Sequence, residues 1–160
     1  MKLFIKKTIR RVLAVAMICC IVLIQCRKKH PGHEDLIGAW KVDSTFTYYN
    51  GFSYTQKEEG SDWGLCAYGK DHIMRESKYG TYRSFYYGLK ERDSLYLSPT
   101  NARDTVTFQI VRLNRDQMVL KEAKKPLFES NGSQERYEIR YYSRTEVPAE
   151  KLSVLFGYKE

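Results

Sequence analysis

Hydrophobic and polar residues alternate along most of the chain, from residue 36 almost to residue 144. Because successive side chains of a strand point to opposite faces, this period of two predicts strands that each bury one face. The apolar face of the first strand is predicted to carry Trp40, Val42, Phe46 and Tyr48. Asn50-Gly51 follows this segment. Such a pair between alternating segments predicts a β-hairpin, since both turn positions require a positive φ.

Further segments of the chain have the same strand character. They cover residues 65–68, 72–79, 81–89, 93–98, 104–113, 117–122 and 134–144. Most are separated by short polar stretches, as expected for antiparallel strands joined by turns. Two of the later segments place apolar residues on one face. These residues are Phe108 and Ile110 in segment 104–113, and Tyr137, Ile139 and Tyr141 in segment 134–144.

Eight or nine short strands of this kind predict an all-β fold, an antiparallel up-and-down eight-stranded β-barrel. Closure into a barrel removes the unpaired edges of a sheet, and eight strands leave room inside for side chains or one small ligand. Residues 147–157 change to helical spacing, with Pro148 near the start and Gly157 after the end. They predict a short C-terminal helix that packs on the outside of the barrel through Leu152, Leu155 and Phe156.

The N-terminal segment has the pattern of an export signal. Residues 1–11 carry five cations and no acid, and an apolar run of 13 residues extends from Val12 to Ile24. As a helix this run measures about 20 Å, which is shorter than the hydrocarbon core of a membrane at about 30 Å. The run therefore predicts a signal peptide over residues 1–25, with a short uncleaved anchor as the alternative.

Cys26 directly follows the apolar run, in an arrangement that resembles the lipid-attachment site of bacterial lipoproteins. The resemblance implies that Cys26 is lipidated, with acyl chains such as palmitate, and becomes the first residue of the mature chain. Residues 26–35 are then a lipidated tether and residues 36–160 the barrel domain with its helix. No acidic residue follows Cys26 closely, which by the same resemblance implies an outer-membrane lipoprotein facing the periplasm. Cys66 is left as the single cysteine of the barrel domain, so no disulfide within it is expected.

The start of the first strand, Gly38-Ala39-Trp40, resembles the Gly-x-Trp signature of lipocalins. Residues 93–97, 107–113 and 117–122 and the closing strand up to Arg144 resemble lipocalin-like bacterial lipoproteins, so that the similarity covers about residues 36–145. It implies a calyx that is open at one end, binds small hydrophobic molecules and uses no cofactor. It also implies a structural closure at Gly38 and Trp40, in which Trp40 seals the barrel floor and an arginine of the last strand packs across it. This arginine is Arg144, with Arg140 as the alternative.

A formal net charge of +8 would ordinarily indicate a protein that binds nucleic acids. However, residues 1–25 hold five cations and residues 27–29 three more, without any acid among them, so residues 30–160 are neutral. A neutral domain lacks the surplus of cations that phosphate binding requires, and no nucleic-acid partner is expected. The chain also lacks the sequence motifs of phosphate loops, nucleophile elbows, Cys-x-x-Cys pairs and zinc proteases, so neither a cofactor nor a metal is expected.

Three functions are compatible with these observations. The first is a lipid-anchored binding protein of the cell envelope, whose partners are the membrane and a small hydrophobic or amphipathic ligand. The second is a structural or protein-interaction barrel with a filled core. The third, an enzyme that uses a pocket at the barrel mouth with His72 as the residue to test, is the least favoured because no acid–base constellation is visible. For the first function, the candidate ligand-lining residues are Trp40, Val42, Phe46, Tyr48, Phe108, Ile110, Tyr137, Ile139 and Tyr141.

Overall fold

The structure, a computed structural model, describes residues 31–57, 64–91, 93–99, 104–126 and 134–156. For Phe156 it describes the backbone only. The predicted signal peptide and residues 26–30 of the predicted tether, which include the predicted lipid-attachment residue Cys26, lie outside these residues.

The described residues form nine strands between two short helices. The elements are α1 (His33–Leu36), β1 (Gly38–Tyr49), β2 (Phe52–Lys57), β3 (Leu65–Tyr68), β4 (Ile73–Lys78), β5 (Thr81–Lys90), β6 (Ser94–Pro99), β7 (Val106–Leu113), β8 (Gln117–Ala123), β9 (Arg136–Thr145) and α2 (Ala149–Phe156). All pairings are antiparallel.

The sheet closes on itself because β1 pairs with β9 as well as with β3. The resulting ring contains eight strands, β1 and β3 to β9, each next to its neighbour in sequence. The remaining strand, β2, pairs with the second half of β1, whereas β3 pairs with the first four residues of β1. The predicted fold, an antiparallel up-and-down eight-stranded barrel with a short C-terminal helix, is confirmed.

Turn residues and a bulge determine the course of β1. Asn50 and Gly51 have φ values of 45° and 92°, so the predicted hairpin between β1 and β2 is present. Between Val42 and Ser44 the register against β9 shifts by one residue, which marks a β-bulge. A shift of one residue exchanges the two faces of a strand, so the side chains that face the barrel interior change parity after Val42.

Trp40 and α1 close one end of the barrel. Trp40 is completely buried, and its Nε1 donates a hydrogen bond of 2.8 Å to the carbonyl oxygen of Leu36 at the end of α1. Leu36 is also fully buried. The short helix therefore lies across the strand ends and covers the core, with the indole group fixing its position.

Arg144 holds the same end together from β9. Its guanidinium carbon lies 4.2 Å from the centre of the Trp40 ring, the arrangement that the lipocalin resemblance implied. The group also donates hydrogen bonds to three backbone carbonyl oxygens, those of Asp35 (3.0 Å), Ile37 (2.7 Å) and Arg115 (2.6 Å). Arg144 thus connects α1, β9 and the turn between β7 and β8.

Gly38 makes this approach possible. Its φ of 122° is a conformation that L side chains rarely adopt, and a β-carbon at this position would collide with Nη1 of Arg144. A glycine is therefore required here by both the backbone and the arginine.

The C-terminal helix covers part of the outer surface. Leu155 is fully buried against Ala39, Leu65 and Ala67, the outward-facing residues of β1 and β3. Leu152, predicted to share this contact, is instead 38% exposed. Leu152 therefore contributes less to this contact than its position in the sequence indicated.

The role of Arg144 is tested by replacing it with methionine, which keeps a long side chain but removes the charge and all five donors. We expect Arg144→Met to lower the free energy of unfolding in urea by about 2 kcal/mol, because three carbonyl oxygens lose a charged donor and Trp40 loses its cation–π contact. The matched control is Arg115→Met, whose side chain is exposed, and we expect a change within about 0.5 kcal/mol. Equal effects of the two substitutions would contradict the account.

Candidate functional site

The barrel interior contains a cavity of about 620 Å³, away from the end closed by Trp40. Apolar side chains surround its inner part. They are Val42, Met74, Phe85, Leu97, Phe108 and Leu120, with Cys66, Tyr68 and Tyr142 beside them. The outer part of the cavity is polar and lies at the opposite end of the barrel from Trp40, among strand ends and hairpin tips. The charged residues there are Glu76, Lys78, Arg83, Glu122, Lys124, Glu138 and Arg140.

Four of these charged residues form a network on β8, β9 and the residue that follows β8. Glu122 and Glu138 are direct partners across the two strands and face the cavity side by side. Like charges in this position repel each other. Arg140 compensates them because its Nη2 lies 3.2 Å from Glu122 and 3.0 Å from Glu138. Lys124 also compensates them, because its Nζ lies 2.7 Å from Glu122 and 3.4 Å from Glu138.

The network keeps Glu138 ionised. Burial raises the pKa of this carboxyl group, but the hydrogen bond from Arg140 and the charges of Lys124 and Arg140 outweigh burial and lower the pKa below its usual range. Glu138 is consequently a carboxylate near neutral pH and has no proton to donate there. The network supplies fixed charges of both signs, and its four members sum to zero.

Cys66, Tyr68 and Tyr142 form the polarisable part of the cavity wall. Burial raises the pKa of the Cys66 thiol to about 12, with a further contribution from the charge of Glu76. Burial also raises the pKa of both phenols. All three groups are therefore neutral at physiological pH, which leaves Cys66 without the thiolate that a nucleophile needs.

Four of the predicted lining residues lie inside the barrel. Val42 and Phe108 line the cavity itself. Trp40 and Ile110 belong to the buried core towards the closed end, so they support the cavity without lining it.

For the other five residues, the prediction that they line the cavity is wrong. These are Phe46, Tyr48, Tyr137, Ile139 and Tyr141. On β1 the bulge after Val42 turns Thr45 and Thr47 inwards. On β9 the charged residues Glu138 and Arg140 face the cavity. The apolar positions of both segments consequently point to the outer face.

The displaced aromatic residues pack against one another across β1 and β9. The rings of Tyr48 and Tyr137 are stacked with centres 4.9 Å apart, and those of Phe46 and Tyr137 are 6.2 Å apart. Nζ of Lys121 lies 4.0 Å from the centre of the Tyr137 ring. These contacts leave the outward residues half-buried, except for Tyr141, which is 39% exposed.

Sequence reasoning missed the charged network. One signal was available in principle, because Glu138 and Arg140 alternate with apolar residues on β9 and complement Glu122 and Lys124 on the preceding segment. The register that pairs Glu122 with Glu138 was needed to recognise that these four charges compensate one another.

His72 lies near the closed end, in the turn between β3 and β4, and does not line the cavity. Its ring centre is 4.1 Å from that of His33, and the His33 ring stacks on Tyr87 at 5.2 Å. Burial and the proximity of His72 lower the pKa of His33. Asp71 is engaged elsewhere, in an ion pair of 2.7 Å with Arg75. Among the residues described, no three His, Cys, Asp or Glu side chains are grouped to hold a metal ion.

No family model, curated protein or solved structure matched the chain. Neither helix in the described ranges has the length and apolar character needed to cross a membrane.

The network is tested by removing its arginine. We expect Arg140→Gln to lower the free energy of unfolding at pH 7 by about 2 kcal/mol, because two adjacent carboxylates then share only Lys124. Adding Glu138→Gln should recover part of this loss. Folding lowers the pKa of Glu138, so the ionised carboxylate stabilises the folded protein at neutral pH. This stabilisation is lost as the pH falls below about 4.5, the pKa of the group in the unfolded chain, and through the lower pKa of the folded state.

The difference between wild type and Arg140→Gln should therefore shrink on acidification, as measured by urea denaturation at several pH values. Arg83→Gln is the matched control, since it removes the same charge from the same cavity wall where the described residues offer no ion pair. Its expected change is within about 0.5 kcal/mol. A pH-independent loss in Arg140→Gln would contradict the charge-based explanation.

Proposed function

We propose that this protein is a binding protein that holds a small amphipathic molecule inside its barrel. The observation that supports the proposal is the cavity of about 620 Å³ with an apolar inner part and a charged outer part. Its volume lies in the range of about 300 to 1,000 Å³ that is typical of small-molecule sites. An open cavity favours this function over a barrel with a filled core.

The inner part of the cavity suits an alkyl or other apolar group. Phe108, Leu120 and Met74 are buried around it, and none of them offers a hydrogen bond to a polar ligand. Each methylene group transferred from water into such surroundings contributes about 0.8 kcal/mol. A tail of several methylenes therefore supplies most of the affinity, from which the cost of association is subtracted.

The outer part of the cavity suits the polar end of the same molecule. Charged residues and the hydroxyl groups of Thr45 and Thr47 face it. A polar end placed there stays hydrogen-bonded while the tail is buried, which avoids the cost of an unpaired polar group. The ligand is thus held in one orientation, with its tail towards Trp40.

Ligand binding is tested with the neutral fluorescent probe N-phenyl-1-naphthylamine and the full-length chain. We expect Leu97→Trp to weaken probe binding at least tenfold, because the larger side chain occupies the cavity that Leu97 lines. The matched control Val111→Trp places the same group at an outer position that is 56% exposed, and it should leave the affinity unchanged. Equal binding by both variants, with unchanged circular dichroism, would exclude the cavity as the site.

We further propose that the protein is a lipoprotein of the bacterial envelope, attached through Cys26, with the outer membrane facing the periplasm as its location. The support is the sequence itself, a basic segment followed by a 13-residue apolar run and a cysteine. The proposed partners are consequently the membrane and the small ligand.

The anchor is tested by metabolic labelling with palmitate in the cells that produce the chain. We expect label in the wild type and none in Cys26→Ser, since no acceptor thiol is then present at the processing site. Cys20→Ser, which removes a thiol within the apolar run, is the control and should keep the label. Label retained in Cys26→Ser would refute this attachment site.

A further inference from the structure

Three tyrosines of the described strands are buried in the barrel interior, and their hydroxyl groups differ in their surroundings. Tyr68, Tyr87 and Tyr142 are exposed by 2%, 2% and 6%. A buried phenol normally has a hydrogen-bond partner, because an unpaired polar group in apolar surroundings costs free energy. The partner of each hydroxyl group therefore indicates what the tyrosine does.

Two of the three phenols have a neighbouring group within the protein that accounts for them. The Tyr87 hydroxyl group donates a hydrogen bond of 2.6 Å to the carbonyl oxygen of Gly69, and Tyr87 does not line the cavity. Tyr142 lines the cavity, but the charge of Arg140 acts on its phenol and partly opposes the increase that burial causes in its pKa. Both hydroxyl groups thus have a role in the folded barrel itself.

The Tyr68 hydroxyl group is different, because it forms no hydrogen bond within the described ranges. The ring of Tyr68 packs edge-on against that of Tyr87, with centres 4.9 Å apart. In those ranges, Nε2 of His33 is the one side-chain nitrogen or oxygen atom that is both sealed off and without a partner. The Tyr68 oxygen is therefore not sealed off, and it faces the cavity that Tyr68 lines.

The surroundings of this hydroxyl group are uncharged and mostly apolar. Tyr68 pairs with Gly38 of β1, towards the end of the barrel that Trp40 closes. Met74, its direct partner on β4, and Cys66, two residues earlier on β3, line the same part of the cavity. Burial raises the pKa of the Tyr68 phenol and of the Cys66 thiol, so both keep their protons near neutral pH. Tyr68 therefore offers a neutral O–H donor to whatever occupies the inner part of the cavity.

Such a donor favours a ligand with an uncharged acceptor. A carbonyl oxygen accepts the hydrogen bond and brings no further donor that needs a partner. A hydroxyl group brings its own proton, for which the sulfur atoms of Met74 and Cys66 are weak acceptors. A carboxylate would lose its hydration among apolar side chains, and the negative charge of Glu76 already acts on the Tyr68 phenol. A ketone or ester carbonyl suits the position best.

We propose that the ligand carries a carbonyl group near the inner end of its apolar tail, and that the Tyr68 hydroxyl group donates a hydrogen bond to this carbonyl. The inference rests on the proposed ligand-binding function and specifies the class of ligand. Apolar contacts supply most of the affinity but do not depend on direction. The hydrogen bond from Tyr68 adds a directional contact and makes Tyr68 a residue that determines specificity.

The test uses three probes that share a ten-carbon chain with a hydroxyl group on the first carbon. The ninth carbon is a ketone in 10-hydroxydecan-2-one, a secondary alcohol in decane-1,9-diol and a methylene group in decan-1-ol. Each probe displaces N-phenyl-1-naphthylamine from the full-length chain. We expect Tyr68→Phe to weaken binding of the ketone about fivefold, the effect of one lost hydrogen bond, and to change binding of decan-1-ol by less than twofold.

Infrared spectroscopy of the ketone, labelled with carbon-13 at the carbonyl group, reports the hydrogen bond itself. A hydrogen bond to the oxygen lowers the stretching frequency of a carbonyl group. We expect a lower frequency for the ketone bound to the wild type than for the ketone bound to Tyr68→Phe.

Tyr87→Phe is the matched control, since it also removes a buried phenol hydroxyl group but leaves the cavity wall unchanged. It should weaken all three probes equally or not at all. Without ligand, Tyr87→Phe should lower the urea midpoint of unfolding, because the carbonyl oxygen of Gly69 loses its donor. Tyr68→Phe should leave the midpoint unchanged or raise it. A decrease as large as that of Tyr87→Phe would show that the Tyr68 hydroxyl group already has a partner in the protein, and would contradict the inference.

The failure of this inference is distinguishable from that of the proposed function. If no probe displaces the dye, the proposed function itself is wrong. If the probes bind but Tyr68→Phe leaves the ketone unchanged, or weakens the ketone and decan-1-ol equally, the cavity binds ligands and recognition of a carbonyl group is refuted. An equal loss for the diol and the ketone would also overturn the inference, since Tyr68 would then not distinguish a carbonyl from a hydroxyl group.

Discussion

The barrel depends on the pairing of β1 with β9, the first and last strands of the ring. The pairing runs from Ala39 opposite Thr145 to Tyr49 opposite Arg136, and it joins segments that are about a hundred residues apart in the chain. Closing so long a loop costs conformational entropy before any contact compensates for it. Contacts at both ends stabilise the closure. At one end Trp40 lies directly opposite Arg144 and the arginine also binds α1, and towards the other end Tyr137 packs against Phe46 and Tyr48.

The same pairing determines the chemistry of the interior. The bulge between Val42 and Ser44 lets the first half of β1 contribute Trp40 to the core and the second half contribute two threonines to the cavity. β9 in turn contributes Tyr142 close to the core and Arg140 and Glu138 towards the open end. The interior therefore changes from apolar to charged along its axis. Charges inside a barrel are costly unless they are paired, and the bridging contacts of Arg140 and Lys124 meet this requirement.

The sequence was sufficient to predict the type of fold because period-two alternation and turn residues are local signals. The strands, the Asn50-Gly51 hairpin and the C-terminal helix all follow from them. The closed barrel followed from a general constraint, since a meander of this size has edges that must be paired.

The composition of the cavity could not be predicted in the same way. Alternation on β9 separates Tyr137 and Ile139 from Glu138 and Arg140, but it does not indicate which set faces inwards. Apolar residues were assigned to the interior by default, whereas here the outer aromatic residues stabilise one another and the inner charges are paired. The bulge in β1 had a similar effect, because one additional residue reverses the facing of Phe46 and Tyr48 without any change in the periodic pattern.

Native mass spectrometry of the full-length chain, released from the cells that produce it, tests the central claim most directly. The claim is that the barrel holds one small amphipathic molecule in its cavity. We expect a population whose mass exceeds that of the processed chain by a single small molecule, released on activation and containing an apolar tail with a polar end. A chain that carries its covalent modifications but no additional molecule in any preparation would contradict the account.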